Sequence, residues 1–214
     1  MIPLYQHWYQ CIIVAEDDEM TTADDRRTQI LDAAEHLLGQ GGVDAVTMRA
    51  VAAEAGVSLR LVQYYGRTKD ELLSATLDRL AAKSVHRWRA RTAAADGAGT
   101  PVEEVRAFFA EALPTDEPSR AFHRVGVSLE VLAVTGSAAA GDAYRRHLCA
   151  LAEHLAGRLA TGGLAAAEAT AVALEVMALG HGLGTLMMAG VSTAAQAQEV
   201  AAEYTERLQR RLSG

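Results

Sequence analysis

Cysteine is nearly absent from this 214-residue chain, and its two cysteines, Cys11 and Cys149, lie far apart in no metal-ligand spacing. That excludes a disulfide framework and points to unpaired thiols in a reduced compartment, the cytoplasm. Prolines number 4 and aromatic residues make up 5%. Long alternating runs of β-branched and aromatic residues, the signal for strands, are missing. A secretory signal is missing too: residues 1–15 hold no Lys or Arg, their apolar stretch at 12–15 is short, and Glu16, Asp17, Asp18 and Glu19 follow at once. The chain has no phosphate-binding glycine loop, serine elbow, paired HExxH or plausible catalytic triad, so neither an enzyme nor a cofactor is expected.

What remains is half hydrophobic, and rich in alanine and leucine. Alanine loses no side-chain entropy in a helix and leucine little, so the expected fold class is all-α. Residues 1–23 differ in composition from the rest and are read as a disordered leader, with 1–19 open to being a mis-assigned start. The apolar pattern turns helical near Asp24, where Ile30, Ala33, Ala34, Leu37 and Leu38 mark one buried face. Gly39, Gly41 and Gly42 end that helix. Thr47 caps a short second helix that Gly56 breaks, and Ser58 caps a third through Tyr65. Thr68 opens a long fourth helix, with Asp70 and Glu71 in its first turn, where the helix dipole favours negative charge. Residues 94–101 read as a linker, and further helices are expected near 101–113, 117–135, 138–161, 165–189 and 194–212.

The span 164–191 is mostly apolar, and a membrane crossing needs about 20 such residues. Glu168, Glu175 and His181 interrupt it and no cationic flank precedes it. A helix buried on several sides, as at a subunit interface, fits better.

The informative stretch is TMRAVAAEAGVSLRLVQYY, residues 47–65. Two short helices crossing around a tight turn need a small residue where they touch and a glycine where the chain turns; Ala52 and Gly56 supply both. On its own this AxxxG spacing also suits a plain helical hairpin. Val57 and Val62 would point inward, leaving Leu59, Arg60, Leu61, Gln63 and Tyr64 outward. That set suits a DNA major groove. Arg60 can pair with a guanine edge and Gln63 with adenine, while Leu59 or Leu61 can meet a thymine methyl. The Tyr64 and Tyr65 hydroxyls can reach phosphates. Thr47 and Arg49 open the second helix, where free N–H groups also favour phosphate. The net charge of -7 works against phosphate binding. Within 24–70, Arg26, Arg27, Arg49, Arg60, Arg67 and Lys69 face seven acidic residues, so modest non-specific affinity and reliance on dimerisation are expected.

From Arg26 to Leu80 the chain resembles the DNA-binding domain of the TetR family of transcriptional regulators. The matches include Ile30, Leu31, Asp32, Ala33, Ala34, Leu37 and Leu38, then Gly42, Thr47, Val51, Ala52, Ala55, Gly56, Val57 and Ser58, and finally Lys69 and Leu72. The resemblance implies an N-terminal helix-turn-helix domain (24–70) joined by a long helix to a helical ligand-binding and dimerisation domain (71–214). It implies double-stranded operator DNA as partner, met by Leu59, Arg60, Leu61, Gln63, Tyr64, Tyr65 and Lys69; Thr47, Arg49 and Ser58, at the starts of the second and third helices, complete the expected DNA-binding set. It also implies a homodimer through the last two helices, and repression relieved by a small-molecule effector. A ligand-independent regulator, or a helical binding protein without DNA function, are the alternatives. Arg60 stands where many members have glycine. Gly66 stands where most have phenylalanine, which predicts a thinner core behind the third helix. Pocket candidates are Trp88, Phe108, Phe109, His123, Val127, Glu130, Tyr144, Met177 and His181, apolar walls with a few polar handles. His147, His154 and Cys149 offer no convergent face for a metal.

Overall fold

The structure, a computed structural model, describes residues 22–93, 99–135 and 139–213. The helices in chain order are α1 (Thr22–Ala45), α2 (Met48–Glu54), α3 (Leu59–Tyr65), α4 (Lys69–Ala93), α5 (Pro101–Ala112), α6 (Glu117–Thr135), α7 (Ala139–Thr161), α8 (Ala166–Met188) and α9 (Ala194–Leu212). There is no strand among the described residues. Of the leader expected at 1–23, residues 1–21 lie outside the described residues, while Thr22 and Ala23 already belong to α1. Most of the expected linker, 94–98, also lies outside them.

Local chemistry accounts for the boundaries. The axis of α1 breaks at Gly41 and Gly42, where Gly42 takes φ 66°, a conformation that costs an L side chain. Thr47 caps α2 by accepting from the Ala50 N–H, and Ser58 caps α3 by accepting from Leu61 N–H. Between them Gly56 adopts φ 61°. Its N–H donates to the Ala53 carbonyl and that of Val57 to Ala52, the two bonds that close a left-handed helix end. Thr100 and Glu103 cap each other's backbone at the start of α5, with Pro101 in the first turn.

Packing forms two apolar clusters. The first joins α1–α4, through Ile30, Leu38, Val51, Val62, Leu72 and Leu77, to Val125 and Leu129 of α6 and Tyr144 of α7. The second gathers α5, α7, α8 and α9 around Phe108, Leu155, Val176 and Leu208. Helix α4 feeds both, with Leu72, Leu73, Leu77 and Leu80 in the first and Trp88 in the second. Helix α8 is long and apolar enough to cross a membrane. Here one face, including Val172, Val176, Gly180 and Gly184, is buried in the bundle. The other stays exposed, with Leu174 and Leu186 upon it. The helix is thus buried on one side within a single chain, rather than on several.

Candidate nucleic-acid interface and internal cavity

The two capped helices α2 and α3 present a compact polar face. Helix α3 has seven residues, and a helix that short is marginal alone. Its caps and the burial of Val62 hold it. Arg60, Gln63 and Tyr64 recur at three- and four-residue spacing and are all exposed, Tyr64 at 76%. Arg49 is exposed on α2, and Lys69 is half-buried at the start of α4. Tyr64 and Tyr65 meet edge to face at 5.1 Å between centroids.

Leu59 and Leu61 keep only part of their surface toward solvent. Both are half-buried and pack against the first core cluster, as does Tyr65. On a seven-residue helix there is too little length to leave two leucines in water while burying Val62 alone. The hydroxyl oxygens of Thr47 and Ser58 accept from the backbone N–H groups of Ala50 and Leu61, which leaves each O–H to donate. Both caps hold the helix starts in place.

The second site is a cavity of about 80 Å³ between α4, α5, α6, α7 and α8. Trp88, Phe108, His123, Val127, Glu130, Tyr144 and His181 all line it. Phe109 and Met177, also expected there, do not. Phe109 is buried in the second core, tilted against Phe108 at 5.7 Å and edge to face with Tyr204 at 6.0 Å, and Met177 packs in the same cluster. Both face away from the cavity, a distinction that apolar periodicity does not make. Phe122, His147 and Glu111 line it and were missed. The signal for His147 was its place three residues after Tyr144 on one helix face.

Two glycines of α8 make the room. A methyl group at Gly184 would stand 2.5 Å from His123 Cε1, and one at Gly180 would stand 2.9 Å from Phe108 Cε1. The histidines are held neutral. Burial pushes His123 and His181 below their ordinary range, against an upward pull from Glu130. Burial, with His181 nearby, takes His147 down to about 4. Burial first, then the Glu130 charge, raises the Tyr144 phenol to about 12. His123 Nε2 is buried without a hydrogen-bond partner. Glu111 accepts from Arg87 Nε at 2.8 Å and from Ser84 Oγ at 3.1 Å, both on α4. His154 stands apart, paired with Glu104 at 3.0 Å and edge to face with Trp88 at 4.9 Å between centroids. Among the described residues no cluster of His, Cys, Asp and Glu is arranged to hold a metal.

Residues 30–76 match the family described as "Bacterial regulatory proteins, tetR family". The "HTH-type transcriptional regulator BetI" of Rhizobium meliloti (strain 1021) is 37% identical over 92 residues, which are 43% of this chain and 44% of the relative. The chain thus matches less than half the length of that curated relative. Solved structures cover far more. A member of the TetR family from Streptomyces coelicolor A3 is 26% identical with a TM-score of 0.65, covering 86% of this chain and 98% of its own. A transcriptional regulator from Saccharomonospora viridis, solved in complex with choline, has a TM-score of 0.69 at 21% identity, covering 85% of this chain and 96% of its own.

Proposed function

We propose that this chain, whose residues 30–76 match the TetR family of regulators and whose fold is that of a solved member of the family, is a homodimeric repressor. It binds an inverted-repeat operator and is released by a small molecule entering the cavity. The relatives are regulators rather than enzymes, and this chain is read in the same way. The domain division follows the same reading, with 24–70 binding DNA and 71–214 sensing and dimerising, and the chain acts in the cytoplasm where its DNA target is.

The observation that carries the DNA reading is the solvent-facing set Arg60, Gln63 and Tyr64 on a short, doubly anchored helix. Arginine and glutamine are the side chains that pair bidentately with guanine and adenine edges. Arg49 and Lys69 add phosphate contacts at the starts of α2 and α4.

Dimerisation is supported by the outer face of α8 and by α9. Leu174, Leu186 and Val200 are exposed there, and Ala171, Ala178 and Gly182 are exposed between them. A second copy burying that face would set two α3 helices roughly 34–36 Å apart, one turn of DNA. The Saccharomonospora viridis regulator solved with choline shares this architecture, which supports a small-molecule effector for the cavity here.

The test is fluorescence anisotropy of the full chain on DNA from upstream of its own gene, beside random DNA, at two salt concentrations. Specific binding that weakens with salt is expected. Arg60→Ala and Gln63→Ala should each cost about 1–3 kcal/mol on the specific site and little on random DNA. Equal loss on both DNAs would mean that these side chains do not read bases.

A further inference from the structure

We propose that the cavity binds a compact organic cation, its ammonium group held among aromatic rings beside Glu130 and its polar end at His123. This rests on the reading of the cavity as the effector site and adds the sign of the ligand's charge.

The argument is a census of charge. No lysine or arginine is among the lining residues. The Glu111 carboxylate is already neutralised, with Arg87 Nη2 at 2.5 Å and Arg91 Nε at 3.7 Å. The lining histidines His123, His147 and His181 are uncharged at neutral pH because burial disfavours their protonated forms. Glu130 is left. It is exposed and forms no ion pair with any described residue, yet it lies close enough for its charge to act on His123, His181 and Tyr144. The lining therefore carries one uncompensated negative charge, at the side where exposed Val127 and Glu130 open the cavity to solvent.

The walls suit the same ligand. Trp88, Phe108, Phe122 and Tyr144 put four aromatic rings in the lining, and the face of such a ring attracts cations. One of these rings already has a cation near it, since the Arg87 guanidinium lies 6.0 Å from the Phe122 centroid. An anion would face Glu130 with no free positive charge to meet it. A purely apolar guest would leave His123 Nε2 unpartnered and would gain nothing from the Glu130 charge. A small ammonium compound bearing one hydroxyl or carbonyl satisfies all of these groups, and the volume of about 80 Å³ favours a compact one.

Calorimetric titration of the full chain tests this with three probes of one shape: choline, the neutral alcohol 3,3-dimethyl-1-butanol, and the anion 3,3-dimethylbutanoate. Choline is expected to bind about ten-fold or more tightly than the alcohol, and the anion not at all. Glu130→Gln should shrink the choline preference to within about three-fold, with a melting curve confirming the fold of the variant. If the alcohol or the anion binds the unaltered chain as well as choline does, the cation proposal falls, while the cavity stands as an effector site. If none binds at millimolar concentration the proposal also falls. A broader compound screen against the operator complex then decides separately whether the effector reading survives.

Discussion

At Gly66 the chain leaves α3 with φ -136° and ψ 99°, extended backbone that any residue can adopt. The glycine is there for space. A methyl group at this position would stand 3.0 Å from Leu72 Cβ and 3.3 Å from Leu72 Cα. Leu72 is itself only 1% exposed, so it has little freedom to retreat. The core expected to be thin where a phenylalanine is missing is instead closed by direct approach of α4 to the backbone behind the recognition helix. Gly66→Ala should therefore destabilise the chain by about 1–2 kcal/mol through overpacking, and Gly66→Phe by more. Urea unfolding checks this. A Gly66→Ala variant more stable than the parent would show that the slot is a void.

Helix α6 works on two faces at once. His123, Gly126, Val127 and Glu130, at helical spacing, line the cavity. On the other side, Arg124 donates from Nε to the Gly39 carbonyl of α1 at 2.8 Å, and from Nη2 to Glu117 at 2.7 Å. A methyl group at Gly42 would stand 3.1 Å from Ser128 Oγ, so α6 lies tight against the bend of α1 that leads into α2. A ligand that displaces the cavity face of α6 must move this contact, because a helix shifts as a unit rather than bending freely. Arg124→Ala should leave operator affinity in the absence of ligand within about three-fold, yet weaken release by a compound that frees the parent chain by about five-fold or more. Anisotropy titrations of both proteins read the two quantities separately. Unchanged release would place the coupling elsewhere. This double role was not legible in the sequence, since periodicity identifies apolar faces but not which neighbour each face meets. The caps at Thr47 and Ser58 and the glycine ends at Gly42 and Gly56 were legible, because each acts within a few residues of itself. The half-burial of Leu59 and Leu61 was not legible for the converse reason: what covers their inner sides is a core assembled from distant helices.

At the scale of the whole molecule, the cavity histidines tie folding to pH. In the unfolded chain a histidine takes up its proton near pH 6.5. In the folded chain His147 stays neutral down to about 4, and burial also lowers His123 and His181. Between these limits the unfolded state binds more protons, so stability rises with pH. The contribution is complete above pH 6.5 and is withdrawn as pH falls toward 4. For His147 alone the loss comes to roughly 2 kcal/mol at pH 5, a large share of the roughly 5–15 kcal/mol typical of a folded domain. Carboxylates held low by capping or pairing, such as Glu103, Asp116 and Glu117, work in the same direction but below the ordinary carboxylate range. The window from pH 7.5 to 5 therefore reports mainly the histidines. Urea midpoints should fall across that window, and His147→Asn, which cannot titrate, should flatten the fall even if its absolute stability is lower. A midpoint unchanged between pH 7.5 and 5 would mean that the histidines are not held neutral, and the charge census of the cavity would change sign with them.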